Sequence, residues 1–198
     1  AGMGTAMVVG KAKFGILSLP GGLDEYKYVP FSPWTGKKIT DEALRILGNH
    51  KIRFLFVHYP FPDHAGHAHG WLSDKYFRET AETDKELSRL VAFLEKDQKS
   101  RTLLIITSDH GGHGKTHGTS SREDRTIPWI AWGPSVRPGF PIQGKMNIFD
   151  TVPVILEALG LPGKSETDGH SLPDIWREGT GSSCGQRRGV PIGQTLHS

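Results

Sequence analysis

Apolar residues are concentrated in four short, uninterrupted runs along the chain. The runs are rich in β-branched and aromatic residues and do not alternate with polar positions, which is typical of strands covered on both faces of a sheet. We therefore predict four buried strands, at residues 6–9, 54–57, 103–106 and 127–132.

Helical patterns fill much of the sequence between these runs. Residues 41–48 open with acidic side chains and end at a glycine, which suits the two ends of a helix. From about Ser73 to Lys96, apolar positions recur every three or four residues and predict a long helix with one core-facing stripe. Residues 148–159 predict a third helix, closed by Gly160. Strands that alternate with helices indicate an α/β fold, with a mainly parallel sheet sandwiched by helices.

Acids and histidines stand directly after two of the predicted strands. Asp63 and His67 follow the second strand, and Asp109, His110 and His117 follow the third. Ligands of open parallel sheets bind beyond the carboxyl ends of the strands. We therefore expect these two post-strand loops to line one site.

The residue types at this edge are those that bind borderline cations such as Zn²⁺ or Mn²⁺. Asp63, His67 and His117 can supply one carboxylate and two imidazoles, and Asp109 with His110 can supply half of a second set. Two cations about 4 Å apart would hold an anionic ester for in-line displacement. The glycines of TSDHGGHGKTHG (residues 107–118) are expected to allow unusual backbone angles and a close approach to a bound anion.

The remaining histidines of this region receive simpler interpretations. His58, at the end of an apolar strand, is interpreted as a core histidine with its polar atoms satisfied. His64, His69 and His113 are interpreted as neighbours of the site or solvated loop residues.

Composition narrows the class of protein. Apolar residues make up 36% and charged residues 23% of the 198 positions, as in soluble globular proteins. The net charge is +3, and the basic residues are spread among acids, so we predict no nucleic-acid-binding patch. No apolar run approaches the roughly 20 residues of a transmembrane helix. The single cysteine, Cys184, excludes an internal disulfide framework.

The order of short motifs resembles the alkaline phosphatase superfamily, and most closely its type I phosphodiesterase and nucleotide pyrophosphatase branch. The matching motifs are Asp63, Gly66-His67, Gly70-Trp71, Ser108-Asp109-His110-Gly111-Gly112, His117-Gly118 and Ile127-Pro128-Trp129. By this resemblance, Asp63, His67 and His117 match the ligands of one metal ion. Asp109 and His110 match two ligands of the other.

The resemblance also implies what this chain lacks. The family completes its second metal site with an Asp and a Thr or Ser nucleophile from the amino-terminal half of the fold, and nothing before Asp63 matches them. We therefore expect residues 1–178 to be the carboxyl-terminal part of a larger catalytic domain, with the nucleophile outside this chain. Residues 179–198, rich in Gly and Ser, are expected to be a disordered tail.

The function that the resemblance implies is hydrolysis of small phosphate esters or nucleotides by two divalent metal ions, with Zn as the first expectation and Mn or Fe as alternatives. Phosphodiester and nucleotide pyrophosphate bonds are the expected targets. Phosphomonoesterases, phosphonate hydrolases and sulfatases share much of the motif set, and a metal-binding but inactive fragment is an alternative of another class. A sulfatase formylglycine motif would need Pro or Ala where CGQRR (184–188) has Gln186. Relatives of this kind are commonly exported, which favours the periplasm or cell surface.

Overall fold

The computed structural model describes residues 2–49, 51–96, 102–163 and 167–177. The chain divides into two compact units, one built from Ala1–Ser100 and Thr107–Trp129 and the other from Arg101–Ile106 and Ile130–Ser198. The tail predicted at residues 179–198 lies outside the described residues, and the domain boundary at residue 178 stays a prediction.

A three-stranded parallel sheet organises the first unit. Its strands are β1 (Gly4–Val9), β2 (Glu25–Tyr28) and β3 (Ile52–His58), in the order β2-β1-β3. The central strand is the apolar one, and residues Ala6 to Val9 are all buried, as a strand covered on both faces requires. The predicted strands at 6–9 and 54–57 are thus confirmed. Strand β2 was not predicted, because its sequence EYKY carries charged residues at an edge of the sheet.

Three helices accompany this sheet. They are α1 (Thr35–Leu47), α2 (Phe61–His69) and α3 (Asp74–Lys96). Helix α1 buries Ile39, Ala43 and Ile46 and joins residues of β1 in one hydrophobic cluster. It begins six residues before the predicted start. The buried Thr35 hydroxyl contacts Pro30 O and the Ser32 backbone, and these local hydrogen bonds organise the chain where the helix begins.

Helix α3 has the predicted bounds, but its core-facing stripe is confirmed only in the second half, where Leu90 and Leu94 are buried, because Phe77 is 55% exposed. The Ser73 hydroxyl accepts a hydrogen bond from the amide of Tyr76 at 3.2 Å, which is the geometry of an N-cap. The predicted long helix with a start near Ser73 is therefore confirmed.

The segment before α3 was predicted as a loop, and this was wrong. Residues 61–69 form helix α2, which begins after Pro60 and ends at Gly70, where φ is +99°. The sequence FPDHAGHAH is poor in strong helix formers, but Pro62 lies in the first turn, where its missing amide hydrogen has no cost. Asp63 and His67 therefore stand one helical turn apart on one face of a helix.

The second unit contains most of a separate strand pair, β4 (Leu104–Thr107) with β5 (Trp129–Trp132). A 3₁₀ turn (Ile148–Asp150) leads into α5 (Thr151–Ala158), and Gly160 follows with φ +65°. These elements agree with the strands predicted near 103–106 and 127–132 and with the helix predicted at 148–159. A four-residue helix, α4 (Arg122–Arg125), belongs to the first unit. Parallel strands with packed helices confirm the predicted α/β class.

Candidate metal centre

Helix α2 contributes two of the predicted ligands. Asp63 and His67 lie at positions i and i+4, and His67 Nε2 is 3.4 Å from Asp63 Oδ1. The other imidazole nitrogen of His67, Nδ1, donates to the backbone carbonyl of Lys115 at 3.0 Å. This bond fixes the ring with Nε2 turned toward the carboxylate.

The loop of residues 108–118 contributes the other three. It is held by backbone bonds from Gly111 N to Asp124 O (2.8 Å) and from Gly112 N to Glu123 O (3.1 Å). His110 Nδ1 donates to Gly111 O at 2.8 Å. Like His67, His110 is thus oriented by a main-chain carbonyl, the kind of partner that fixes ligand histidines in metal sites.

The two segments converge on a single oxygen atom, Asp63 Oδ1. His117 Nε2 lies 3.4 Å and His110 Nε2 lies 3.7 Å from it, and the His110 and His117 rings are stacked with centroids 3.6 Å apart. Among the described residues, one group has three ligand atoms within 4.8 Å of one another, namely Asp63, His110 and His117. His67 approaches the same carboxylate from beside this group.

The chemistry of these atoms fits a bound cation. A carbonyl only accepts hydrogen bonds, so in their neutral forms His67 and His110 would carry the proton on Nδ1 and turn an Nε2 lone pair toward Asp63 Oδ1. Burial lowers the pKa of His117, with the nearby His110 adding to the effect, which favours the neutral form of that imidazole. Asp63 Oδ1 is buried and has no hydrogen-bond partner in the described part of the chain. Nitrogen lone pairs and an anionic oxygen repel one another unless a positive charge lies between them. The Nε2 to Oδ1 separations of 3.4–3.7 Å also exceed the roughly 2.7–2.9 Å of charge-assisted hydrogen bonds.

Lys11, which follows strand β1, neutralises the other side of the same carboxylate. Its Nζ lies 2.6 Å from Asp63 Oδ2. Burial opposes ionisation of Asp63, but the hydrogen bond and charge of Lys11 outweigh it and lower the pKa of the carboxyl group. Asp63 is therefore anionic at neutral pH, with Oδ2 engaged by the lysine and Oδ1 facing the imidazoles.

Asp109 stands at the margin of the cluster. Its Oδ2 is 3.6 Å from His110 Nε2, and its side chain is 59% exposed. All five sequence-predicted residues are thus brought together. Their division into one site with Asp63, His67 and His117 and a second with Asp109 and His110 stays a prediction, as does their role as ligands.

The glycines of the 108–118 loop serve two structural purposes. Gly114 and Gly118 have φ of +51° and +94°, the unusual backbone angles that the sequence suggested. Gly111 and Gly112 instead leave room for other parts of the same chain. A Cβ on Gly111 would lie 1.9 Å from Glu123 O, and one on Gly112 would lie 2.1 Å from the Trp71 ring.

Of the histidines outside the cluster, His58 differs from its simple interpretation and His113 has a specific partner. His58 Nδ1 is buried without a hydrogen-bond partner in the described residues, so it is not the satisfied core histidine that we expected. Burial, followed by the charge of Lys11, lowers the pKa of His58 to about 4. His113 is bonded through Nδ1 to Asp124 Oδ1 at 2.8 Å.

Asp124 is a buried acid that the sequence analysis missed. It also accepts two hydrogen bonds from Thr119, each 2.7 Å long. Burial opposes its ionisation, but the bonds from His113 and Thr119 lower its pKa to about 2. Nothing in the local sequence distinguishes Asp124 from Glu123, whereas Lys11 could have been found from its position just after a central strand.

Comparison with known proteins defines the class to which this site belongs. Residues 21–148 match the type I phosphodiesterase / nucleotide pyrophosphatase family, and that segment contains all five residues of the cluster. The chain belongs to this family. The sequence resemblance to the alkaline phosphatase superfamily is thereby confirmed.

Individual relatives include sulfatases and a mutase. The chain is 31% identical to arylsulfatase K of Danio rerio over 103 residues, which is 49% of this chain and 20% of the relative. It is 36% identical to sulfatase ppz1 of Metarhizium majus over 100 residues, 46% of this chain and 23% of the relative. It is 27% identical to the 2,3-bisphosphoglycerate-independent phosphoglycerate mutase of Gracilaria tenuistipitata over 140 residues, 68% of this chain and 26% of the relative. The chain therefore spans about a fifth to a quarter of the length of these relatives.

No helix in the described ranges is long and apolar enough to cross a membrane.

Proposed function

We propose that this site supports metal-dependent hydrolysis of small phosphate esters, with phosphodiester or nucleotide pyrophosphate bonds as the targets. The observation that carries the proposal is the convergence of three imidazoles on the unpaired Oδ1 of Asp63. Membership of the type I phosphodiesterase / nucleotide pyrophosphatase family supports the same reaction class.

The residues of the cluster divide into ligands and supports. Asp63, His67 and His117 would hold one cation, and Asp109 with His110 would contribute to a second one. Bound divalent cations would offset the charge on the phosphoryl oxygens and favour an in-line displacement. Zn²⁺ suits the nitrogen and oxygen donors, with Mn²⁺ and Fe as alternatives.

Lys11 adds a fixed positive charge beside the carboxylate. The cluster contains two acids, Asp63 and Asp109, and one lysine, so it carries a net charge of about −1 when its imidazoles are neutral. Each bound divalent cation adds two positive charges, so the cluster becomes positively charged once it is occupied. The chain's own groups therefore suit an anionic ester once a cation is present.

The proposal is tested by two measurements. Zn²⁺ binding by calorimetry, in the parent chain and in Asp63→Asn, tests the metal centre. Cleavage of bis-4-nitrophenyl phosphate with and without added Zn²⁺ tests the chemistry, with free Zn²⁺ as the control. Failure to bind Zn²⁺, Mn²⁺ or Fe²⁺ would refute the proposal. Binding without turnover above the control would support the alternative of a metal-binding but inactive chain.

Sulfuryl ester hydrolysis is a second candidate, because two of the relatives are named as sulfatases. The same preparation should be assayed with 4-nitrocatechol sulfate and with 4-nitrophenyl phosphate. A preference for the sulfate ester would favour the second candidate, and a preference for the phosphomonoester would favour a phosphomonoesterase.

A further inference from the structure

The indole of Trp71 lies between the two chain segments that carry the cluster. On one side is Gly66 of helix α2, where an added Cβ would lie 2.7 Å from three atoms of the indole. On the other is Gly112 of the 108–118 loop, where an added Cβ would lie 2.1 Å from Trp71 Cε2. Real Cβ atoms do not approach other heavy atoms so closely, so only glycine at both positions admits this ring.

The same ring touches two imidazoles of the cluster. Trp71 meets His67 edge to face with centroids 5.2 Å apart, and it meets His117 in the same manner at 5.7 Å. Aromatic pairs of this geometry are favourable and directional. One indole therefore contacts an imidazole from each of the two segments.

The backbone around Trp71 joins the segments as well. The Trp71 amide donates to Gly114 O at 2.7 Å. The next residue, Leu72, is the one described non-glycine residue with positive φ, at +64°. A left-handed leucine is unfavourable, and such strain persists where the surrounding structure enforces it. Here the turn between α2 and α3 directs the indole toward the cluster.

We propose that Trp71 is a positioning residue for the metal centre: it sets the separation of α2 and the 108–118 loop, so that His67 and His117 reach one cation with Asp63. This inference rests on the proposed metal centre. It assigns to Gly66 and Gly112 the role of admitting the indole, and it predicts that Trp71 and Gly112 act as one unit.

Zinc affinity measured by calorimetry tests the proposal. Trp71→Ala should weaken Zn²⁺ binding about 10–100-fold, the range found when groups that orient metal ligands are removed, and Trp71→Phe should restore part of the loss. Trp34→Phe is the matched control, because Trp34 is 66% exposed and should bind Zn²⁺ as the parent does. Unchanged affinity in Trp71→Ala would overturn the proposal.

A double-mutant comparison separates positioning from a general loss of packing. Gly112→Ala should weaken Zn²⁺ binding at least about 10-fold, whereas Gly36→Ala, whose nearest contact would be a 3.8 Å approach to Glu86, should not. The double variant Gly112→Ala/Trp71→Ala should bind Zn²⁺ no more weakly than Trp71→Ala alone, because the added methyl group then meets no indole. Effects that multiply would overturn the proposal.

A spectroscopic measurement on the folded parent chain covers the case in which these variants do not fold. The indole contacts the rings of His67 and His117, so Co²⁺ bound by these imidazoles would be close to it and should quench tryptophan emission with the same midpoint as its binding isotherm. Trp71→Phe should lose most of this quenching while it still binds Co²⁺. Binding without quenching in the parent would overturn the positioning role alone, and absence of any metal binding would overturn the metal centre together with it.

Discussion

Asp63→Asn is the substitution that most directly tests the metal centre. Asparagine keeps the shape of the side chain but removes the negative charge that three imidazoles and Lys11 share. A divalent cation at this position would lose the less exposed of the two carboxylates, since the side chain of Asp63 is 20% exposed and that of Asp109 is 59% exposed. The variant should therefore lose the stabilisation that metal gives to the folded chain.

The size of the effect follows from linkage. A metal at 100 times its dissociation constant stabilises the native state by about 2.7 kcal/mol. For a chain of this length, that corresponds to a rise in melting temperature of about 5–11 °C, at roughly 2–4 °C per kcal/mol. Removal of a group that only supports a ligand weakens metal binding by up to about 100-fold, so the loss of a charged ligand should be at least that large. At a loss of about 100-fold, the same metal concentration gives about 0.4 kcal/mol and a rise of about 1–2 °C.

The assay is thermal unfolding followed by circular dichroism, in EDTA and across a Zn²⁺ titration. Asp41→Asn is the matched control, because Asp41 is an ion-paired carboxylate on α1, bonded to Lys37 and Arg89. It should shift the melting temperature in EDTA but leave the zinc-dependent rise unchanged. An equal zinc-dependent rise in Asp63→Asn and in the parent would refute the convergence on Asp63 as a metal centre.

Three further predictions concern two groups near the cluster and one residue of the hydrophobic core. The pKa of His58 is about 4 when folded and about 6.5 when unfolded, so native stability should fall by about 2 kcal/mol, after allowance for solvent screening, as pH drops from about 6.5 to 4. Urea unfolding of His58→Phe should lack this loss. An equal loss in that variant would show that His58 is not its source. Asp124→Asn should accelerate amide hydrogen exchange in the 108–118 loop, because it weakens the bonds of the buried carboxylate. Glu123→Gln, at the exposed neighbouring position, should not. Equal exchange in both variants would count against a role of Asp124 in holding the loop. Ile39→Ala, at a fully buried position, should cost about 2–5 kcal/mol in urea unfolding, and a loss below about 1 kcal/mol would show that Ile39 is not part of a packed core.

Residue chemistry allowed the members of the cluster to be predicted from the sequence. Asp63, His67, Asp109, His110 and His117 belong to the few residue types that bind cations, and each follows an apolar run that predicts a strand. The position of the strand ends was then enough to predict that the two segments approach one another. The helical state of residues 61–69 could not be predicted in this way, because tertiary contacts, including the Trp71 packing on Gly66, override the weak local propensity.

The roles of the residues that surround the cluster could not be predicted, for a different reason. Asp124, Trp71 and His58 belong to residue types that occur throughout proteins. Trp71 was noticed as part of a motif, but its packing role, like the surroundings of Asp124 and His58, depends on partners distant in sequence or on burial. Asp124 bonds His113 eleven residues away, and the pairing of Lys11 with Asp63 spans 52 residues. No local pattern contains such information.

The glycines connect the predicted ligands with the residues that support them. The sequence suggested that glycines near the histidines make room for a bound anion, yet Gly66 and Gly112 make room for Trp71, and Gly111 makes room for the carbonyl of Glu123. Each of these contacts fixes a segment that carries a predicted ligand. A methyl group at Gly112 should therefore disturb the metal centre although Gly112 contributes no ligand atom. The choice of residues in these two segments is thus constrained by the distance between their backbones as much as by the chemistry of the ligands.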